Sequence, residues 1–565
     1  MFSALKQAIK SQRSAPELQA NILAGLTVGI IALPLSMALA IATGVPPQHG
    51  LYTAIIAGIV IALSGGSSVN VSGPTAAFVV ILLPIVHQYG LGGLLVSGML
   101  AGFILLAMGL LRLGKFIELI PYPVTVGFTA GIGAVIAVLQ IVDFLGLHIT
   151  QSSEHFIGKV GAIFGALPSL RWQETLIASS TLCVLLVWPK AKSRIPGHLI
   201  ALLAGSVLAW LLTHYLPGFS VATIGSRFHY MIDVVQAAGI PSSLPAFALP
   251  WQLPDAQGRP IGISFELIRQ LAAPALTIAI LGALESLLCA VVADGMSGGR
   301  HDSDDELIGQ GIGNIVVPFF GGIPATAAMA RTAANIRAGG SSPLASIVHA
   351  LFIVAAMLLV ADLLAYIPMA SMAALLLVVA WNMSDAKLFV QTLKTAPRDD
   401  VAILLSCFGL TVLFDMTLAV GVGLGMAAIL FIRKSIILTE SRPVHDHGTL
   451  HHLFDRQTAV YEINGPLFFG TAQKALRNIT RVDPEVRTVV LDMSDVSMLD
   501  MSAIAAMQAI VKTLDAAHVS LIINGLAPRM VTKLHNAQLQ SGKVPIRFSD
   551  TLNDAALMAK AGTTP

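Results

Sequence analysis

Gly321-Gly322-Ile323-Pro324-Ala325-Thr326-Ala327-Ala328-Met329-Ala330-Arg331 echoes a stretch about 250 residues earlier, Val71-Ser72-Gly73-Pro74-Thr75-Ala76-Ala77-Phe78. Each has glycine, then proline, then small residues with a threonine. Proline suits the first turn of a helix, where its missing N–H costs nothing. Glycine permits the extended backbone that comes before. In corresponding halves of an apolar chain, such a pair predicts two broken helices meeting near a membrane midplane. Their N-termini would offer free N–H groups and partial positive charge to an anion. Two kinked structural helices would read the same way; the symmetric placement favours a site.

The rest of the chain supplies the apolar setting. Of its 565 residues, 55% are hydrophobic and only 11% charged, too little polar surface to coat a water-soluble protein of this size. Lipid is therefore the solvent for most of it. A formal net charge of +2 gives no reason to expect a nucleic-acid partner. Cys183, Cys289 and Cys407 lie far apart in apolar runs, with neither metal spacing nor a disulfide framework. Met1 to Ala20 has no apolar core or cleavage site and reads as a short polar cytoplasmic lead-in, not a signal peptide.

Apolar runs predict fourteen spans in a transmembrane domain of residues 21–438: 21–43, 51–65, 72–89, 91–111, 123–145, 174–189, 197–215, 270–294, 305–319, 324–336, 343–365, 368–388, 400–415 and 417–437. Lys6, Lys10 and Arg13 precede the first span. Arg112 and Lys115 follow the fourth, Lys190, Lys192 and Arg194 the sixth, and Arg300 the eighth. Lys394 and Arg398 follow the twelfth, and Arg433 and Lys434 close the last. With that count all of them fall on one side, which puts both termini in the cytoplasm. The exception, 216–269 with Arg227, Arg259 and Arg269, is expected to be a long periplasmic segment.

Two ionisable residues stand out inside the spans. Glu285 lies in Leu281-Gly282-Ala283-Leu284-Glu285-Ser286-Leu287-Leu288-Cys289, with no basic residue within one helical turn. Desolvation disfavours its charged form, so it suits carrying a proton through a transport cycle; the alternative is an acid bridging two helices. Arg331 falls in the first turns of the second half-helix. It reads as a charge drawing in an anion, or as an arginine snorkelling to the interface. Asp294, Asp302, Asp304 and Asp305 form a polar stretch expected to be solvated. Gly309, Gly311 and Gly313 are expected to allow close helix packing. Gln140 and Asp143, closing the fifth span, read as structural. No catalytic triad, Walker motif or metal cluster is visible, so an enzyme is the least supported class, and no cofactor is expected.

After Arg442 the composition changes. Ala459–Ile463, Thr488–Asp492 and Val519–Asn524 read as strands and Ser502–Leu514 as an amphipathic helix, predicting one α/β domain over 443–565.

Together these stretches resemble the sulfate-permease (SulP) family of anion transporters over essentially the whole chain. Leu33-Pro34-Leu35-Ser36-Met37-Ala38-Leu39-Ala40, Gly44-Val45-Pro46-Pro47 and Gly50-Leu51-Tyr52 look like its first-span signature. Ser72-Gly73-Pro74-Thr75, the Glu285 segment and Ala330-Arg331-Thr332 look like its third, eighth and tenth spans. Asn314–Asn335 and Met372–Ser384, with Trp381-Asn382-Met383-Ser384, look most like the bacterial members that carry four-carbon dicarboxylates.

The resemblance implies an all-α membrane protein with a seven-plus-seven inverted repeat. A core of spans 1–4 and 8–11 would move elevator-like against a gate of spans 5–7 and 12–14, in a homodimer of the inner membrane. Thr75 and Ala76 would line the anion site, opposite Ala328, Met329, Ala330 and Arg331. Glu285 would occupy the cation-coupling position. Sodium-using relatives have an aspartate there with a threonine four residues on; Glu285 with Cys289, a poorer sodium ligand, favours protons. Many sulfate-carrying branches have Pro-Gln where this chain has Pro34-Leu35. The C-terminal segment resembles the STAS domain, whose phosphorylation loop Asp-Ser-Ser-Gly here reads Asp500-Met501-Ser502-Ala503. Ser502 is then a phosphorylation candidate or a helix N-cap, and a STAS-binding protein is a further partner. The expected function is proton-coupled uptake of succinate, fumarate or aspartate. Its rivals are sulfate or bicarbonate transport on the same fold, and a non-transporting membrane sensor or scaffold acting through the STAS domain.

Overall fold

The computed structural model describes residues 3–10, 14–117, 120–149, 156–191, 196–232, 235–414, 416–443, 453–469, 471–476, 479, 485–537 and 546–562. Arg13, Lys192 and Arg194 lie outside the described residues. The chain divides into two compact units, Met1–Leu424 and Gly425–Pro565.

The apolar runs become helices because a helix satisfies its own backbone hydrogen bonds where no water can. In chain order they are α1 Ser3–Lys10, α2 Ala15–Ala42, α3 Pro47–Ser64, α4 Ala76–Leu110, α5 Gly114–Ile117, α6 Tyr122–Leu145, α7 Phe156–Ala166, α8 Trp172–Val187 and α9 Gly197–Tyr215. There follow α10 Ile224–Arg227, α11 Phe265–Ser297, α12 Ser303–Val316, α13 Met329–Arg337, α14 Pro343–Leu364, α15 Met369–Ser384, α16 Ala386–Thr395, α17 Arg398–Leu413 and α18 Met416–Leu438. Among the described residues, nine helices are long and apolar enough to cross a membrane. The expected third and fourth spans both stand within α4, as two helices that meet at a kink at Gly90, whose φ of 69° is a conformation glycine adopts without a Cβ penalty. The segments expected at 174–189, 305–319, 324–336 and 400–415 are the shorter helices α8, α12, α13 and α17. Helix α7 is an apolar helix that the spans read from sequence passed over.

Helix α12 packs closely on α3 and α4 because its glycines meet backbone. A Cβ on Gly309 would strike Gly65, and one on Gly311 would lie 2.6 Å from the Leu106 nitrogen. The glycine run thus does what close packing requires. Segment 216–264 holds α10, the hairpin β2 (His229–Ile232) with β3 (Val235–Ala238), and a single-turn helix at Pro250–Gln252. Backbone hydrogen bonds hold it to the membrane helices: Ala248 N–H donates to the Phe319 carbonyl at 2.7 Å, Gly92 N–H to the Pro254 carbonyl at 2.8 Å, and Ile224 N–H to the Ile367 carbonyl at 3.0 Å. Asp143 closes the far end of α6 by pairing with Arg227 at 2.6 Å, which is a structural role.

The second unit carries a five-stranded sheet in sequence order: β5 Glu440–Pro443, β6 Thr458–Asn464, β7 Thr488–Asp492, β8 Ser520–Asn524 and β9 Ile546–Ser549. The pair β5–β6 is antiparallel and the others parallel. Strands β7 and β8 are nearly continuous apolar runs, as strands buried on both faces must be. Helix α19 (Ala472–Leu476) is short, and helix α20 (Met501–Ala516) lays Ile504, Met507, Val511 and Leu514 on the core with Leu491 and Ile523. The N-cap of α20 is Asp500, whose Oδ1 accepts from Ala503 N–H at 2.8 Å. Ser502 is therefore not the cap, because the carboxylate two residues earlier already fills that place.

Candidate functional site

Helices α4 and α13 both begin at one small antiparallel pair, β1 (Ser72–Gly73) and β4 (Thr326–Ala327), with Ser72 opposite Ala327 and Gly73 opposite Thr326. This corrects the expected place of the prolines. Pro74 lies in the extended run two residues before α4, and Pro324 five residues before α13. Neither sits in a first turn. Pro74 restricts Gly73 before it to extended conformations, which is what the pairing of Gly73 with Thr326 needs.

Both helix starts lack a side-chain cap. Thr75 stands at the N-cap of α4 with extended φ/ψ, yet its hydroxyl caps nothing. It donates instead to Glu285 Oε2 at 2.9 Å. The N-cap of α13 is Ala328, which has no side chain able to cap. Serine, threonine, aspartate and asparagine normally satisfy the first-turn N–H groups. Here those groups lack both an intrahelical acceptor and a capping side chain, and they sit at the positive ends of two helix dipoles. Ala328 itself is spent, because its N–H donates to the Val71 carbonyl at 3.0 Å. Ala328 and Ala76 are buried, while Met329 and Ala330 are exposed.

Arg331 has no exposed surface at all, which excludes snorkelling to an interface. Its Nη2 donates to the Pro74 carbonyl, so the charge from one half reaches the turn before α4 in the other. Nε and Nη1 have no hydrogen-bond partner among the described residues. The absent Cβ of Gly73 makes this possible, since a side-chain carbon there would run into the guanidinium. Thr75, Glu285, Arg331 and the two helix starts thus converge.

Helix α11 holds both strands from one side. Glu285 takes Thr75 next to β1. Ser286 takes β4, with its Oγ 2.6 Å from Thr326 Oγ1 and accepting from Ala327 N–H at 3.2 Å. Ser286 was not singled out from sequence, and its adjacency to Glu285 was the only signal. Of the four aspartates expected to be solvated, Asp305 is buried, Asp302 is exposed and Asp294 and Asp304 are partly exposed, and each accepts a hydrogen bond. Asp302 caps α12, Asp304 accepts from Gly114 N–H, Asp305 from Ser3 N–H, and Asp294 accepts from His301. They tie loops and the N-terminal helix to the ends of α11 and α12.

Comparison with known proteins agrees with this architecture. The model of the Sulfate permease family matches residues 18–406, and that of the STAS domain residues 453–555. The chain is 40% identical to the putative sulfate transporter YvdB of Bacillus subtilis, over 92% of this chain and 94% of that protein. It is 29% identical to the bicarbonate transporter BicA of Synechocystis, over 87% of this chain and 85% of that protein. The solved structure of SLC26A9 superposes with a TM-score of 0.85 at 17% identity, covering 100% of this chain and 93% of that one, a likeness of fold.

Proposed function

Because the chain belongs to the sulfate permease family, we propose that it is an inner-membrane anion transporter that takes up four-carbon dicarboxylates together with protons. The observation that carries this reading is the 2.9 Å hydrogen bond from Thr75 to Glu285 at the uncapped start of α4. An anion seated on the first-turn N–H groups of α4 and α13 lies beside that hydroxyl, with the spare donors of Arg331 behind it. Thr75, Ala76, Met329, Ala330 and Arg331 bind the anion. Ala328 contributes only backbone shape, since its N–H is already bonded. A proton on Glu285 neutralises the carboxyl group that Thr75 bonds and lets it donate to Thr75 Oγ1, which frees the threonine's own O–H for the anion, so anion and proton cross together.

The transport domain runs to about residue 438, with the STAS domain from 443 and both termini in the cytoplasm. Spans 1–4 and 8–11 form the moving core and spans 5–7 and 12–14 the gate of an elevator, in a homodimer. Sulfate or bicarbonate is the second reading, favoured by the relatives named above.

The test is uptake of labelled succinate into proteoliposomes, with fumarate, aspartate, sulfate and bicarbonate as competitors and with or without an inward proton gradient. Gradient-driven accumulation, competed by the dicarboxylates and lost in Glu285→Gln, is expected. Competition by sulfate or bicarbonate alone overturns the substrate. A Glu285→Gln variant that still concentrates succinate overturns the coupling residue.

A further inference from the structure

Glu306, Gln310 and Asn314 stand four residues apart on α12, so they share one face of the helix. All three are buried, Glu306 to 1% exposure. Its Oε2 accepts from Gly66 N–H at 3.1 Å and Ser67 N–H at 3.0 Å. Its Oε1 accepts from Asn70 Nδ2 at 3.0 Å and Gln310 Nε2 at 3.1 Å. Gln310 Nε2 also donates to Ser72 Oγ at 3.0 Å. One turn further, Asn314 pairs both ways with Ala325, donating to its carbonyl and accepting from its N–H, each at 2.8 Å. One helix face therefore grips residues 66–72, which lead into α4, and residue 325, which leads into α13.

Burying a carboxyl group is expensive unless it is paired or fully hydrogen-bonded. All four groups bonded to Glu306 are neutral N–H donors. Two donors on each oxygen is the pattern a carboxylate accepts. Such an arrangement fixes geometry: the carboxylate holds three donors of the segment beneath the anion site, Gly66, Ser67 and Asn70, and a fourth, Gln310, on its own helix.

We propose that Glu306 is a positioning residue for the anion, acting with Gln310 and Asn314 to hold the α4 start in register with the α13 start. This rests on the anion-transport reading above. A binding constellation has to be held within about 0.5 Å of its productive geometry by locked supporting groups, so the tether governs apparent affinity without touching the substrate.

Glu306→Gln in the full-length protein tests it. The variant keeps the size of the side chain but turns one acceptor into a donor, which forces the Asn70 or backbone partners to let go. The expected result is a KM for the transported anion raised about tenfold, with the maximal rate changed less than about twofold. A second readout does not need transport. Cys289 Sγ donates to Asn70 Oδ1 at 3.6 Å and is buried. In a Cys183→Ser, Cys407→Ser background, release of Asn70 should speed labelling of Cys289 by a membrane-permeant maleimide about tenfold.

Unchanged KM with unchanged labelling overturns the proposal, as does a lower maximal rate at unchanged KM. If Glu306→Gln does not fold, Glu306→Asp keeps the charge on a shorter arm, and the same two readouts apply. Failure of both variants to fold makes Glu306 a folding determinant and overturns the positioning role. If the wild-type protein moves no anion, the transport reading falls with the substrate clause of this proposal, while the Cys289 labelling still decides the tether.

Discussion

Arg331 on α13 donates from Nη2 to the carbonyl of Pro74, 257 residues away in sequence, in the turn that starts α4. The guanidinium is thus both strut and charge: one nitrogen holds the turn, and the other two are unspent among the described residues. Replacing it with alanine removes hydrogen bonds to a charged group, each worth about 1.5–3 kcal/mol. Apparent anion affinity should fall roughly 10- to 150-fold. Because the group is buried, mobile ions screen it little, so the loss should persist between low and high salt. Arg331→Lys keeps the charge without the planar fork and should fall between the two. Uptake kinetics at two ionic strengths check this; wild-type kinetics in Arg331→Ala would remove the residue from the anion path.

Gly73 should tolerate no side chain. An alanine Cβ there meets the Arg331 guanidinium, which is held in place at its far end by Pro74. Overpacking of this kind costs about 1–3 kcal/mol. Gly73→Ala should lower the melting temperature of the purified protein and impair uptake. Gly161→Ala, where nothing lies within 4 Å of the new carbon, should leave both unchanged. Equal melting temperatures for the two variants would refute the close approach.

Thr75 should matter through its hydroxyl. Thr75→Val keeps the shape and removes the donor to Glu285, a bond worth about 0.5–1.5 kcal/mol net. Apparent affinity or proton-driven accumulation should drop roughly 2- to 10-fold. Thr75→Ser retains the donor and should stay within about twofold. Identical uptake by the valine variant would separate Thr75 from both anion and proton.

Deleting residues 443–565 should leave the membrane helices inserted. Their backbone hydrogen bonds are satisfied within each helix. The second unit keeps its own apolar core, built on Val489, Leu491, Leu521 and Ile523. Membrane fractionation and size-exclusion chromatography of the truncated protein check this; complete loss from the membrane fraction would contradict it.

The membrane class, the helical spans and the terminal α/β domain were legible in the residues themselves. Apolar content and period are local quantities, and lipid demands internal backbone bonding wherever the chain lies in it. The two glycine–proline stretches were legible for the same reason, since backbone permission is written in single residues. The proline positions were misread because strand pairing between β1 and β4 is a contact across the two halves, and it keeps both prolines out of the helices. Partners far apart in sequence were beyond reading: Thr75 with Glu285, Arg331 with Pro74, Glu306 with Gly66 and Ser67. The four-residue spacing of Glu306, Gln310 and Asn314 stands in the sequence but was not singled out there. Only packing α12 against the segments before α4 and α13 decided what these residues hold, because a hydrogen bond depends on distance and angle, which the folded chain alone sets.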